Sequence, residues 1–166
     1  MKNLTAIIAF LLFSQLVIGQ TDAAPQPPYK RFPNNIPLKL LLVDSTTQFT
    51  PDNFDKKKQV MVMLFSPDCD HCKHETEEII KNIDKFKGIQ IVMSTTLPFE
   101  KMKEFYAHYD LGRFKNIVVG NDKSFLLPVY YNIRNLPFLA FYSKKKELID
   151  VFEGSLPLEK VLAKFE

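Results

Sequence analysis

Residues 60–73 decide the fold, and they read VMVMLFSPDCDHCK. The run from Val60 to Phe65 contains six consecutive apolar residues, and a run of that length is typical of a central strand that is covered on both faces. The segment 66–68 ends this strand, and an apolar pattern of helical spacing begins at Cys69. We therefore expect a buried strand that leads directly into a helix, with Cys69 and Cys72 at the junction.

Strand and helix patterns alternate along the rest of the chain. The predicted strands are 38–43, 60–65, 89–93, 117–119, 138–142 and 148–152, and the predicted helices are 69–87 (ended by Gly88), 99–109, 125–131 and 156–165. The early alternation predicts parallel strands joined by right-handed crossovers, and the last two strands predict an antiparallel hairpin. The expected fold class is therefore α/β, with a central mixed β-sheet flanked by helices on both faces.

The composition excludes several classes of protein. The chain has 166 residues, of which 46% are hydrophobic and 25% are charged, as in an ordinary globular domain. The net charge of +3 comes from 22 basic and 19 acidic residues, which is too mild to indicate nucleic-acid binding. There are only two cysteines, so a scaffold held by several disulfides is excluded.

The N-terminus has the pattern of a secretory signal peptide. A short basic start is followed by an apolar run over residues 4–18. The small or β-branched residues Val17 and Gly19 at its end are compatible with cleavage after Gly19. We expect a signal peptide at 1–19, an extended leader at 20–37 and one domain at 38–166. The protein would then be periplasmic or otherwise exported, and an uncleaved membrane anchor is the competing interpretation.

The two cysteines are the candidate catalytic residues. Cys69 lies at a helix start, where backbone N–H groups and the helix dipole favour a thiolate. Such a thiolate can attack a disulfide of another protein, and Cys72, one turn later, can resolve the mixed disulfide. His71 and Asp70 are predicted to tune the acidity of Cys69 in opposite directions, and the sequence does not settle which effect is larger.

These residues resemble the thioredoxin superfamily. Residues 60–73 resemble its strand–CxxC–helix unit, and Leu136-Pro137 with residues 138–141 resembles the stretch that begins with the family's cis-proline. The resemblance covers residues 38–165 and is closest to exported proteins of the TlpA/ResA type. It implies a thioredoxin-like fold in which Pro137 is cis and packs against the dithiol. Leu136 would present backbone groups to an extended substrate chain.

The resemblance also implies a function, which is that of an exported thiol–disulfide oxidoreductase acting on protein disulfides or dithiols. A membrane-embedded thiol carrier would be its electron partner, and we expect a monomer. No diffusible cofactor and no metal are expected, because the Cys69–Cys72 disulfide itself carries two electrons.

The chain departs from the family at several positions. It contains no tryptophan, and Met63 stands where thioredoxins often have a buried aspartate, so no base for Cys72 is evident. His71 before the second cysteine resembles oxidising members such as DsbA, which leaves the direction of electron flow open.

Two other functions remain compatible with the same residues. Cys69, His71, Cys72 and His74 have the spacing of metal ligands, which would suit delivery of copper or zinc. A thioredoxin-like interaction domain without turnover is the third hypothesis.

Overall fold

The computed structural model describes residues 26–166. The predicted signal peptide and residues 20–25 of the predicted leader lie outside the described residues. The strands are β1 (Leu40–Leu42), β2 (Gln48–Phe49), β3 (Gln59–Leu64), β4 (Ile89–Thr95), β5 (Ile117–Asn121), β6 (Phe138–Tyr142) and β7 (Leu148–Glu153). The helices are α1 (Pro28–Arg31), α2 (Asp70–Lys81), α3 (Phe99–His108), α4 (Leu126–Tyr131) and α5 (Leu158–Ala163). Within residues 26–166, no helix has the length and apolar character needed to cross a membrane.

The strands form one mixed sheet in the order β2-β1-β5-β4-β3-β6-β7. The three central strands β3, β4 and β5 are parallel, and β6 and β7 complete one side as an antiparallel hairpin. The predicted mixed sheet is therefore confirmed. The first strand differs from expectation because β1 runs antiparallel to β5. Of its two neighbours, β2 follows it directly as an antiparallel partner and β5 is distant in sequence, so no crossover helix constrains its direction.

Helices cover both faces of the sheet, as predicted. Side chains alternate along β3, so that Met61 and Met63 face the cluster that includes residues of α2, α3 and α5. Val60, Val62 and Leu64 face the opposite cluster, which includes residues of α4 and the partly buried Tyr29 of α1. All five side chains are almost fully buried, which explains why the strand that leads to the cysteines is apolar throughout.

Several predicted bounds differ in the structure. Helix α2 ends at Lys81 because Asn82 leaves helical geometry (φ −114°, ψ 23°), and a short 3-10 helix follows at Ile83–Phe86. The closing helix begins only at Leu158, since the residue before Pro157 is disfavoured in helical conformation. Residues 28–31 form a helical turn within the predicted extended leader. Strand β2 was missed because two residues carry no periodicity.

Candidate active site

The two cysteines meet at the junction of β3 and α2. Cys69 is the N-cap residue of α2, and Cys72 lies in its first turn. Their Sγ atoms are 2.6 Å apart and both thiols are free. A disulfide requires an S–S distance of about 2.05 Å, so a small movement would join them. Cys72 is fully buried whereas Cys69 is partly exposed, so only Cys69 offers its sulfur to another protein.

The surroundings of the Cys69 sulfur suit a reacting thiolate. The backbone N–H of Cys72 donates to Cys69 Sγ at 3.2 Å, and this donor belongs to the first turn of α2. Unpaired N–H groups at a helix start stabilise negative charge nearby. The carbonyl oxygen of Leu136 lies 3.8 Å from the same sulfur. Cys69 therefore lies between a helix start and the chain segment that precedes β6.

The surroundings of the Cys72 thiol favour its protonated form. Burial raises the pKa of Cys72 to about 12, and the hydrogen bond with Cys69 and the charge of Glu75 act in the same direction. Near neutral pH this thiol is therefore protonated, and it becomes a nucleophile only if a group removes its proton.

Glu75 is the buried ionisable side chain next to Cys72. It lies three residues after Cys72 in α2, is 4% exposed, and its Oε2 accepts the backbone N–H of Leu156 at 3.2 Å. Burial raises the pKa of Glu75 above its ordinary value. The sequence analysis did not single out this residue. The spacing was the available signal, because residues three apart on a helix share a face.

The two residues between the cysteines are exposed. Asp70 forms an ion pair with Lys73 (2.9 Å), and the hydrogen bond from Lys73 lowers the pKa of Asp70. The Asp70 side chain is 93% exposed, so water and Lys73 compensate its charge. His71 is also exposed, and its carbonyl accepts a hydrogen bond from Ser155 Oγ at 3.3 Å. Their influence on Cys69 stays a prediction.

The segment 136–137 completes the site. The Leu136–Pro137 peptide bond is cis, as the family resemblance implied. The Pro137 carbonyl accepts the backbone N–H of Gly154 at 2.8 Å, which ties this segment to the end of β7. The fold thus brings Leu136 to the pair of cysteines, although it lies 67 residues after Cys69 in sequence.

A metal cluster is not visible in the described part of the chain. No group of three or more histidine, cysteine, aspartate or glutamate side chains is close enough there to hold an ion. His71 and His74 are both exposed on α2.

Comparison with known proteins identifies the fold. No family model and no curated protein matches the chain. Solved structures do, among them DsbF from MTB in its mixed oxidised and reduced forms (TM-score 0.66, 16% identity, 80% of this chain and 95% of that chain). Another is a secreted Mycobacterium tuberculosis disulfide oxidoreductase homologous to E. coli DsbE (TM-score 0.63, 15% identity, 76% of this chain and 92% of that chain). A third is the exposed lipoprotein thioredoxin Etrx1 from Streptococcus pneumoniae (TM-score 0.58, 21% identity, 77% of this chain and 98% of that chain). The chain has the predicted thioredoxin-like fold.

Proposed function

We propose that this protein is a thiol–disulfide oxidoreductase that exchanges disulfides with protein substrates through Cys69 and Cys72. The observation that carries the proposal is a pair of sulfurs 2.6 Å apart at a helix start, of which only one is exposed. Such asymmetry suits one thiol for attack on a partner and the other for internal resolution. The fold it shares with known disulfide oxidoreductases supports the same function.

In the first step the Cys69 thiolate attacks one sulfur of a substrate disulfide. A bond forms between Cys69 Sγ and that sulfur, the substrate S–S bond breaks, and the released sulfur leaves with the electron pair as a thiolate. The N–H of Cys72 already donates to the attacking sulfur. Leu136 would dock the extended substrate chain beside it, while Asp70 and His71 would adjust how readily the thiolate forms.

In the second step Cys72 resolves the mixed disulfide. Glu75 accepts the Cys72 proton, directly or through one water, because it is the buried carboxylate whose charge acts on that thiol. The Cys72 sulfur then bonds to Cys69 Sγ and the substrate sulfur leaves as a thiolate. The protein ends with a Cys69–Cys72 disulfide, and the substrate has gained two electrons. The same steps in reverse donate the disulfide, so the reduction potential of the pair decides the direction.

We further propose that the reaction takes place after export. The sequence of residues 1–19 is typical of a signal peptide, and the similar proteins include one described as secreted and one as an exposed lipoprotein. Outside the cytosol no thioredoxin pool restores the dithiol. A membrane-embedded thiol carrier would therefore supply or remove the electrons of a monomeric protein.

Trapping of the mixed disulfide tests the proposed function. Cys72→Ser protein should accumulate a covalent complex with a disulfide-containing substrate such as insulin, and a reductant should release it. Cys69→Ser serves as the matched control and should form no complex. With dithiothreitol as the electron donor, the unaltered protein should reduce insulin disulfides in many turnovers. Tight stoichiometric binding of copper or zinc without any exchange would contradict the proposal and favour a metal-delivery role.

A further inference from the structure

The three residues 154–156, which follow β7, make hydrogen bonds to three different parts of the candidate active site. The backbone N–H of the first donates to the Pro137 carbonyl at 2.8 Å. The hydroxyl of the second donates to the His71 carbonyl at 3.3 Å, in the first turn of α2. The backbone N–H of the third donates to Glu75 Oε2 at 3.2 Å. One short segment therefore joins the cis-proline, the turn between the cysteines and the buried carboxylate.

The backbone of Gly154 directs this segment toward α2. Its φ of +100° lies in the region that glycine adopts readily and that residues with a Cβ atom rarely adopt. The chain turns here as it leaves β7, which ends at Glu153. The two residues after the turn can then contact the first two turns of α2.

The position of the Glu75 carboxylate depends on this segment. Within residues 26–166, the N–H of Leu156 is the one donor that hydrogen-bonds to it. A cleft of about 610 Å³ opens on the same side, and Glu75, Ser155 and Leu156 are among the residues that line it. An ionised carboxylate is far more stable in water than in an apolar interior. Without the N–H donor, the ionised side chain would turn toward the cleft and away from the Cys72 thiol.

The Ser155 hydroxyl fixes the direction of that N–H. The N–H of Leu156 belongs to the planar peptide unit that joins Ser155 to Leu156, so it cannot turn unless the Ser155 backbone turns with it. The hydrogen bond from Ser155 Oγ to the His71 carbonyl attaches this backbone to α2, the helix that also carries Glu75. Donor and acceptor are thereby held on the same rigid element.

We propose that Ser155 is a positioning residue for the resolving step, because its hydrogen bond to α2 holds the Leu156 N–H against Glu75. The carboxylate then stays beside Cys72 and can accept its proton. The inference rests on the proposed function, in which Glu75 accepts that proton. Ser155 itself takes part in no bond that forms or breaks.

Reaction of the reduced protein with dithiobis(nitrobenzoate) tests this role. Cys69 releases the first thionitrobenzoate. The Cys72 sulfur then bonds to Cys69 Sγ, and the second thionitrobenzoate leaves with the electron pair. Ser155→Ala should slow the second release about 5-fold at pH 7, which corresponds to about 1 kcal/mol for one hydrogen bond, and should change the first by less than about twofold. Ser155→Thr, the matched control, keeps a hydroxyl and should retain most of the rate.

Two further measurements separate positioning from a merely structural role. Burial raises the pKa of Glu75 and the hydrogen bond from Leu156 lowers it, so a loosened segment raises it further. The rise of the second rate with pH should therefore move to higher pH in Ser155→Ala. In a Glu75→Gln background, Ser155→Ala should change the second rate by less than about twofold, because no base is left to position.

An unchanged second rate in Ser155→Ala, an equal slowing with and without Glu75, or a Ser155→Thr protein as slow as Ser155→Ala would overturn the proposal. Nuclear magnetic resonance of the unaltered protein decides even if Ser155→Ala does not fold. The Leu156 amide signal should shift as Glu75 ionises, and a signal that does not move contradicts the role. If the unaltered protein shows no second release at all, the proposed function itself fails, which is a separate outcome.

Discussion

Replacement of Glu75 by glutamine tests how Cys72 loses its proton. Glutamine has nearly the same shape, and its amide oxygen can still accept the backbone N–H of Leu156 that Glu75 now accepts at 3.2 Å. The substitution therefore removes the ionisable group while it leaves the packing of α2 against the segment after β7 in place. Its effect should be confined to steps in which Cys72 becomes a thiolate.

The expected effect of Glu75→Gln on the resolving step follows from the low acidity of the buried Cys72 thiol. With a pKa of about 12, only about one Cys72 thiol in 10⁵ is ionised at pH 7. In the mixed disulfide Cys69 carries no charge, so its contribution disappears, but burial, the largest cause, persists. A positioned general base typically contributes a factor of about 10²–10⁴. We expect Glu75→Gln to slow the resolving step about 100-fold at pH 7.

At high pH the sign of the effect reverses. The charge of Glu75 raises the pKa of Cys72, so glutamine in its place lowers that pKa and increases the thiolate fraction. Above about pH 10 hydroxide can remove the proton without help from Glu75. The variant should then match or exceed the unaltered protein, and the two pH profiles should cross.

Stopped-flow reaction of the reduced protein with an aromatic disulfide such as dithiobis(nitrobenzoate) separates the two steps. Attack by Cys69 releases the first thionitrobenzoate at a rate that depends on reagent concentration. Resolution by Cys72 releases the second thionitrobenzoate at a rate that does not depend on reagent concentration. Glu77→Gln is the matched control, because Glu77 is exposed on the same helix, and it should change the second phase by no more than about twofold. A second phase in Glu75→Gln that equals that of the unaltered protein at pH 7 would refute the role of Glu75.

Three further predictions concern stability, each measured by urea unfolding. Burial raises the pKa of Glu75, so the folded state favours its neutral acid, and the contribution of Glu75 to stability should fall as pH rises from about 4 toward neutrality. The carboxyls of Asp44, Asp70 and Asp150 have lowered pKa values and act in the opposite direction, so the test is a difference. The stability of the unaltered protein relative to Glu75→Gln should decline over this range, and parallel pH curves for the two proteins would contradict the prediction. Gly120→Ala would place a Cβ atom 2.6 Å from the Cβ of Leu40 and should cost about 1–3 kcal/mol, whereas Gly88→Ala meets nothing within 4 Å and should change stability by less than about 0.5 kcal/mol. Tyr131→Phe removes one partner of the buried hydroxyl of Tyr142, 2.5 Å away, and should cost about 1–3 kcal/mol. No loss of stability would contradict this prediction and would mean that Tyr130 satisfies the hydroxyl by itself.

Local sequence patterns predicted most elements of the fold. The apolar run before Cys69 identified β3, because a strand covered on both faces leaves no position for polar residues, and its side chains are indeed almost fully buried. Helix α3 and strand β6 were also predicted within one residue of their bounds. Patterns failed where long-range pairing decides the structure. The direction of β1 depends on β5, which lies far along the chain, and no periodicity in residues 38–43 records it.

In the candidate site, too, local sequence determined some features and long-range packing determined the others. The sequence alone determined that Cys69 and Cys72 share one helical turn, because a spacing of three residues at a helix start places two sulfurs side by side for local reasons. Only the tertiary structure decided that the backbone N–H of Leu156 donates to Glu75 and that the Leu136 carbonyl lies near the Cys69 sulfur. It also left Ser94 buried without a partner in the described chain. Burial and unmet hydrogen bonds are properties of several packed segments together, and a one-dimensional pattern cannot express them.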